Sequence, residues 1–284
     1  MTLTRRAALK GVLATAVGAV TGASVYGLTY ERHALQLSEL DLPVAGLAPS
    51  LEGLRIAFLT DIHHSEMVSA DDVQRAVNLT AQATPDLIVL GGDYVTWGDR
   101  SYVGPVAELL APLHAPLGVF AVLGNHDDDR DMPAALTAQH MTVLRDARTS
   151  LRIRGETLDL VGIRFWTRRA GDIARLVKGV SGTALLLAHD PRRLTEAAAL
   201  GVPAVLSGHT HGGQVVIPGF GAIARRNFPV VAGPSSRDRT SIFVSRGIGT
   251  VYVPLRINCP PEVALVTLRR DRKLPRQADS SQGD

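Results

Sequence analysis

The stretch from Ala204 to Gly219 reads AVLSGHTHGGQVVIPG, with His209 and His211 one residue apart behind an apolar run. Two imidazoles so placed could ligate a metal, serve as the base of a catalytic triad, or sit in a turn. Four other apolar runs end the same way. TDIHH presents Asp61, His63 and His64, GGD presents Asp93, GNHDD presents Asn125, His126 and Asp127, and AHD presents His189 and Asp190. Any one of these endings reads equally well as a polar turn, since Gly, Asn and Asp are turn formers. Five of them after five apolar runs argue for one shared site. Neutral imidazole and carboxylate suit zinc, iron, manganese and other divalent ions, and Asn adds an acceptable oxygen donor in an open site. Cys259 is the single cysteine, so neither a disulfide nor a cysteine-type zinc site can form within the chain.

These runs are strands separated by helical patterns. LRIAFLTDIHH is an apolar run with a polar end. The next segment places Val73, Ala76, Val77 and Thr80 at helical spacing behind Ser69, a suitable N-cap. DLIVLGGD is a short buried strand, YVGPVAELLAPLHAP a helix and GVFAVLGNHDD a third strand. Strand and helix in alternation predict parallel pairing through right-handed crossovers. SLRIRGETLDLVGI alternates and turns at Gly155, which predicts a hairpin. TALLLAHDP, PAVLSGHTHGG, SIFVSRGIG and EVALVTLRR supply further strands, with a helix between Pro191 and Leu200. In an open α/β sheet, ligands gather beyond the carboxyl ends of the strands, which is where all five polar endings fall.

The chain of 284 residues is 45% hydrophobic and 20% charged with a net charge of +3, so it can bury a normal core. Residues 1–30 read as a leader. Arg5 and Arg6 precede Gly11 to Leu28, which carries no charge and is rich in Ala, Val and Gly. TRRAALK resembles a twin-arginine export signal, with Ala8 where Phe is usual, and an ordinary secretion signal is the alternative. Gly22 to Ser24 could be a cleavage site, or the run could stay as an N-terminal anchor. Residues 31–50, with Pro43 and Pro49, read as a linker. Residues 51–270, which carry the regular pattern and all five polar endings, read as the folded domain, and 271–284 as a polar, disordered tail.

The order of the motifs resembles the calcineurin-like metallophosphoesterases. It runs Asp61-Ile62-His63, Gly92-Asp93, Gly124-Asn125-His126-Asp127, His189, then Gly208-His209-Thr210-His211. The arginine pair, HTHGGQ and SRGIGTVYVPLRINCPPEV resemble the exported, phosphodiesterase-like branch. The resemblance implies a four-layer α/β/β/α sandwich, two mixed sheets flanked by helices, with the site at the strand ends. It implies two divalent ions (Mn, Fe or Zn). Asp61, His63 and His211 would hold one and Asn125, His189 and His209 the other, with Asp93 bridging. His126 would be unligated and would face the substrate as acid or phosphate contact. A hydroxide between the ions would attack phosphorus directly.

Thr96 stands where protein phosphatases carry a second Asp and purple phosphatases a Tyr, which turns the reading away from both. His64, Tyr94 and Arg256 are the remaining candidates for substrate contact, and Asp127 reads as a loop group. His33, His114 and His140 fall outside the motifs. Arg225, Arg226, Arg237, Arg239, Arg246 and Arg256 crowd the second half and could meet a phosphate or an anionic membrane surface. With aromatics at 5%, no stacking platform for nucleic acid is expected. The expectation is therefore an exported or membrane-anchored phosphodiesterase. Its substrate would be a small envelope phosphoester or phospholipid head group, and its export partner the twin-arginine machinery. A phosphomonoesterase and a non-catalytic metal-binding module are the alternatives.

Overall fold

The computed structural model describes residues 4–180, 182–222 and 227–271. In chain order it contains α1 (Arg5–Thr29), β1 (Gln36–Val44), β2 (Arg55–Leu59), α2 (Ala70–Gln82), β3 (Leu87–Leu90), α3 (Val103–Leu110) and β4 (Val119–Ala121). There follow α4 (Asp131–Ala138), β5 (Thr142–Val143), β6 (Ala147–Ile153), β7 (Glu156–Gly162), α5 (Ala170–Val177), β8 (Thr183–Leu187), α6 (Leu194–Ala199) and β9 (Ala204–Ser207). The last elements are β10 (Val216–Ile217), β11 (Gly221–Ala222), β12 (Gly233–Arg237), β13 (Thr240–Val244) and β14 (Glu262–Arg270).

Two six-stranded sheets run in the orders β1-β14-β2-β3-β4-β5 and β12-β13-β9-β8-β7-β6. Strands β2 to β5 are parallel, as are β7, β8, β9 and β13, while β14, β12 and β6 introduce antiparallel pairs. Both sheets are therefore mixed. Strand alternation sorts the side chains into layers. Ile56 and Phe58 of β2 meet Leu158, Leu185 and Leu206 between the sheets. Ala57 and Leu59 face outward onto Val73 and Val77 of α2, Val106 and Leu110 of α3, and Met132 and Leu136 of α4. On the far side, Val161, Leu186, Val205 and Ile242 pack on Ile173 of α5 and on Leu194 and Ala197 of α6. Three apolar layers between four layers of structure make an α/β/β/α sandwich. Strands such as β3, buried on both faces, are apolar throughout for that reason.

Local signals act as expected. Ser69 caps α2 reciprocally: its Oγ accepts from the Asp72 N–H, and Asp72 Oδ2 accepts from the Ser69 N–H, both at 3.2 Å. Arg154 and Gly155 both have positive φ (50° and 88°), the geometry of a two-residue hairpin turn between β6 and β7. The segment 31–50 is not a linker. Its residues Gln36 to Val44 form β1, paired in parallel with Glu262 to Arg270 of β14. Leu42 and Val44 enter the layer between the sheets, so the domain begins ahead of residue 51. The tail expected from Asp271 onward falls almost wholly on 272–284, which lie outside the described residues, as do Arg225 and Arg226.

Candidate metal centre

Each of the five polar endings follows a strand: β2, β3 and β4 of the first sheet, β8 and β9 of the second. The chain turns sharply there. Asp61, His63, Asp93, His209 and His211 all have φ between 51° and 72°, a region that costs a non-glycine residue about 1–3 kcal/mol and clusters at functional sites. Backbone bonds lock the turns together. The Asp61 N–H donates to Gly92 O (2.9 Å), the His63 N–H to Asp93 O (3.0 Å), and the Gly208 N–H to His189 O (3.1 Å). Gly124 is required by close approach, because a Cβ there would lie 2.0 Å from Asp93 Oδ1. Gly212 and Gly213 serve a tight turn, with φ of 61° and 81°. A Cβ on Gly212 would meet Cys259 Sγ at 2.5 Å.

The side chains converge from both sheets. Asp61, His63 and His211 form one group of potential ligand atoms lying within 4.8 Å of one another, and Asp93, His189 and His209 form another. His63, Asp93 and His126 meet the same criterion between them. His63 Nε2 faces His211 Nε2 at 3.1 Å, and His211 Nε2 is 3.3 Å from Asp61 Oδ1. Asp93 Oδ2 lies 3.0 Å from His189 Nε2 and 3.5 Å from His63 Nε2, so this oxygen stands between imidazoles of the two sheets. Its other oxygen accepts the His126 N–H at 2.8 Å.

Outer contacts set which imidazole nitrogen faces inward. His189 Nδ1 donates to Gly91 O at 2.7 Å. His63 Nδ1 donates to Thr96 Oγ1 at 3.2 Å, and that hydroxyl donates in turn to His63 O at 3.4 Å. Both Nε2 lone pairs then point into the cluster. Asn125 Oδ1 is buried without a hydrogen-bond partner, a state that a bound ion or water would relieve.

Burial disfavours charge on the imidazoles. It pushes His63 down to about 3 and His209 to about 4, the latter with help from His189, and it holds His211 well below the usual value. It likewise raises Asp61 to about 6. His189 behaves oppositely: burial alone would lower it, but Asp93 and Asp61 raise it to about 10. Burial would raise Asp93, yet His189 carries it below the ordinary carboxylate range. Two buried carboxylates therefore demand positive charge at this point. A divalent cation meets that demand, and imidazole, carboxylate and amide donors fit zinc, iron or manganese.

His126 is oriented by backbone. The Trp97 N–H donates to its Nδ1 at 3.0 Å, leaving the proton of the neutral ring on Nε2. Its ring lies 4.8 Å from that of His63 and 4.6 Å from that of Trp97, and burial lowers its proton affinity. Two contributors escape sequence reading. The Asp127 carboxylate accepts from the N–H groups of Asp93, Tyr94 and Gly124 at 2.7–2.8 Å, clamping two strand ends. Trp97 supplies through its backbone the orienting contact that a carboxylate at position 96 would have made. Spacing from Asp93 pointed to position 96, and nothing in the side chain of a Trp announces a backbone role.

The three residues expected to touch substrate are committed elsewhere. Tyr94 is fully buried and donates to Val122 O at 3.0 Å. His64 Nδ1 donates to Val68 O at 2.9 Å, and the ring packs edge-on against Tyr102. Arg256 has no exposed surface, and its guanidinium donates to the carbonyls of Arg246, Gly247, Gly249 and Cys259 at 2.5–3.2 Å. The bonds they make hold loops.

Residues 54–213 match the calcineurin-like phosphoesterase family. The chain is 29% identical over 280 residues to the uncharacterized metallophosphoesterase YkuE of Bacillus subtilis, covering 94% of this chain and 98% of that one. It is 31% identical over 229 residues to phosphodiesterase YaeI of Escherichia coli, covering 75% and 82%. A transmembrane protein with metallophosphoesterase domain from Danio rerio is 30% identical over 277 residues, covering 91% and 62%. By motif order, strand-end geometry and these relatives, the chain belongs to the calcineurin-like phosphoesterase family, as a phosphoester hydrolase whose clustered His and Asp residues could bind metal.

Proposed function

We propose that the chain is a phosphodiesterase working on a phosphoester of the cell envelope, such as a phospholipid head group, with two divalent ions. The observation that carries this reading is Asp93 standing between two ligand groups. Asp61, His63 and His211 would hold one ion, Asn125, His189 and His209 the other, with Asp93 shared. Bound ions supply Lewis acidity toward the phosphoryl oxygens and a nucleophile from water at neutral pH. The protein does the rest. Thr96 and Gly91 O fix the imidazoles, and Asp127 fixes the loops that carry Asp93 and Asn125. His126 presents Nε2–H toward the leaving oxygen. An anionic phosphodiester beside it raises the proton affinity of the ring and offsets the effect of burial. The name of the YaeI relative supports the diester preference.

The reading places the chain outside the cytoplasm. The Arg5-Arg6 pair that opens α1, ahead of its uncharged run, supports export by the twin-arginine route, with α1 retained as an anchor. Arg5→Lys with Arg6→Lys should keep the chain in the cytoplasm, and continued transport would contradict that route. The activity is tested with bis-p-nitrophenyl phosphate and p-nitrophenyl phosphate in the presence of Mn²⁺ or Zn²⁺. Faster cleavage of the diester supports the reading. Faster cleavage of the monoester would make the chain a monoesterase, and cleavage of neither would leave a binding module.

A further inference from the structure

The exposed apolar side chains are not scattered. Beyond α1 and Tyr30, the exposed large apolar residues among those described are Trp97, Trp166, Ile217, Phe220, Tyr252 and Val253. All but Trp166 lie on three linked segments. Trp97 and Tyr252 meet ring to ring at 5.2 Å, with exposures of 65% and 70%. Gln214 ties the Tyr252 loop to the β10–β11 hairpin that carries Ile217 and Phe220. Its side-chain amide donates to the carbonyls of Val253 and Leu255, and its Oε1 accepts the Val251 N–H. The Val216 N–H donates to Ile257 O at 2.9 Å.

The same loop receives the end of α1. The Arg256 N–H donates to Gly27 O at 3.3 Å. Helix and loop are so close that a Cβ on Gly27 would lie 2.4 Å from Arg256 O and 2.7 Å from Leu255 Cδ1. Tyr26 and Tyr30, with ring centroids 5.2 Å apart, stand exposed at this end of the helix. The uncharged run from Gly11 to Leu28 is about 27 Å long as helix, close to the hydrocarbon thickness of a bilayer. Tyr and Trp gather where such a span meets water.

We infer that the face formed by Trp97, Tyr252, Val253 and the β10–β11 hairpin is a membrane-docking surface seated at the lipid headgroup level. The occupant is the bilayer because the patch continues from the end of an apolar helix of spanning length. Patches of this kind on a folded surface mark an interaction site. Trp97 also lies against His126, with ring centroids 4.6 Å apart and planes tilted by 56°, so docking turns the mouth of the metal centre toward the lipid surface. A phosphodiester in the headgroup layer would then be reached without leaving the membrane. The inference rests on α1 entering the bilayer, but not on the chain being active.

The test uses the full chain in phosphatidylcholine–phosphatidylglycerol vesicles containing lipids brominated near the headgroup. The chain has two tryptophans, so Trp166→Phe leaves Trp97 as the sole reporter and Trp97→Phe leaves Trp166. Emission from Trp97 should fall about twofold or more in brominated vesicles, as for an interfacial ring, while that from Trp166 stays unchanged. A chain that fails to float with vesicles would overturn both the anchor and the docking face. A chain that floats with Trp97 unquenched would overturn the docking face alone. Crosslinking of two copies through Tyr252 in that case would assign the patch to a second chain.

Discussion

Asp93→Ala should reduce diester hydrolysis to background and lower the metal content of the purified protein. The side chain has two separate tasks. Oδ1 accepts the His126 N–H at 2.8 Å, and Oδ2 stands 3.0 Å from His189 Nε2 and 3.5 Å from His63 Nε2. In the proposed ligand set, removal takes away the carboxylate that the two ions would share. It also leaves a buried backbone N–H unpaired, a cost of about 1–3 kcal/mol. The loss of turnover should exceed the roughly 10²–10³-fold typical of deleting one transition-state donor. Asp93→Asn separates the two tasks, since its amide oxygen can still accept from His126 N–H. It should melt near the wild-type temperature by circular dichroism and still fail in metal content and turnover. An Asn variant with normal metal and normal rate would show that Asp93 does not hold the ions.

His126→Ala should behave differently, with metal content kept and rate lost. Its ring is turned by the Trp97 N–H so that Nε2 carries the proton. In the proposed ligand set it is the one histidine of the cluster left free. General acid–base groups contribute about 10²–10⁴-fold, or roughly 3–5 kcal/mol in the barrier, and the variant should lose that much in kcat. The deficit should shrink for a diester whose leaving group is a good one, because such a group needs little protonation. Equal loss for p-nitrophenyl and alkyl leaving groups would move His126 from proton donor to simple phosphate contact. Loss of both metals would make it a ligand.

The site was legible before the fold because ligation restricts residue types. Asp61, His63, Asp93, His189, His209 and His211 are donors that strand ends seldom need, and the apolar runs bring them into adjoining groups whose ligand atoms lie within 4.8 Å of one another. The order of strands and helices followed from alternation and from apolar runs, while the sandwich of two sheets came from the family resemblance. Strand β1 was hidden. QLSELDLPV reads as a mixed segment, and its partner β14 lies at the other end of the chain, Gln36 opposite Glu262. The two-residue strands β5, β10 and β11 are too short to carry a period. His64, Tyr94 and Arg256 failed for another reason. A polar type next to a motif does not reveal whether its polar atoms face a substrate or a neighbouring carbonyl, and here burial directs all three to carbonyls. The backbone clamp of Asp127 and the Trp97 contact to His126 depend on loop geometry that residue type does not encode.

The most direct test of the account is the number of divalent ions per chain, measured by elemental analysis together with diester turnover as a chelator removes them and Mn²⁺ or Zn²⁺ restores them. The account predicts two ions per chain, with turnover lost on stripping and regained as the second ion is replaced. Undiminished hydrolysis by a chain stripped of metal would contradict it.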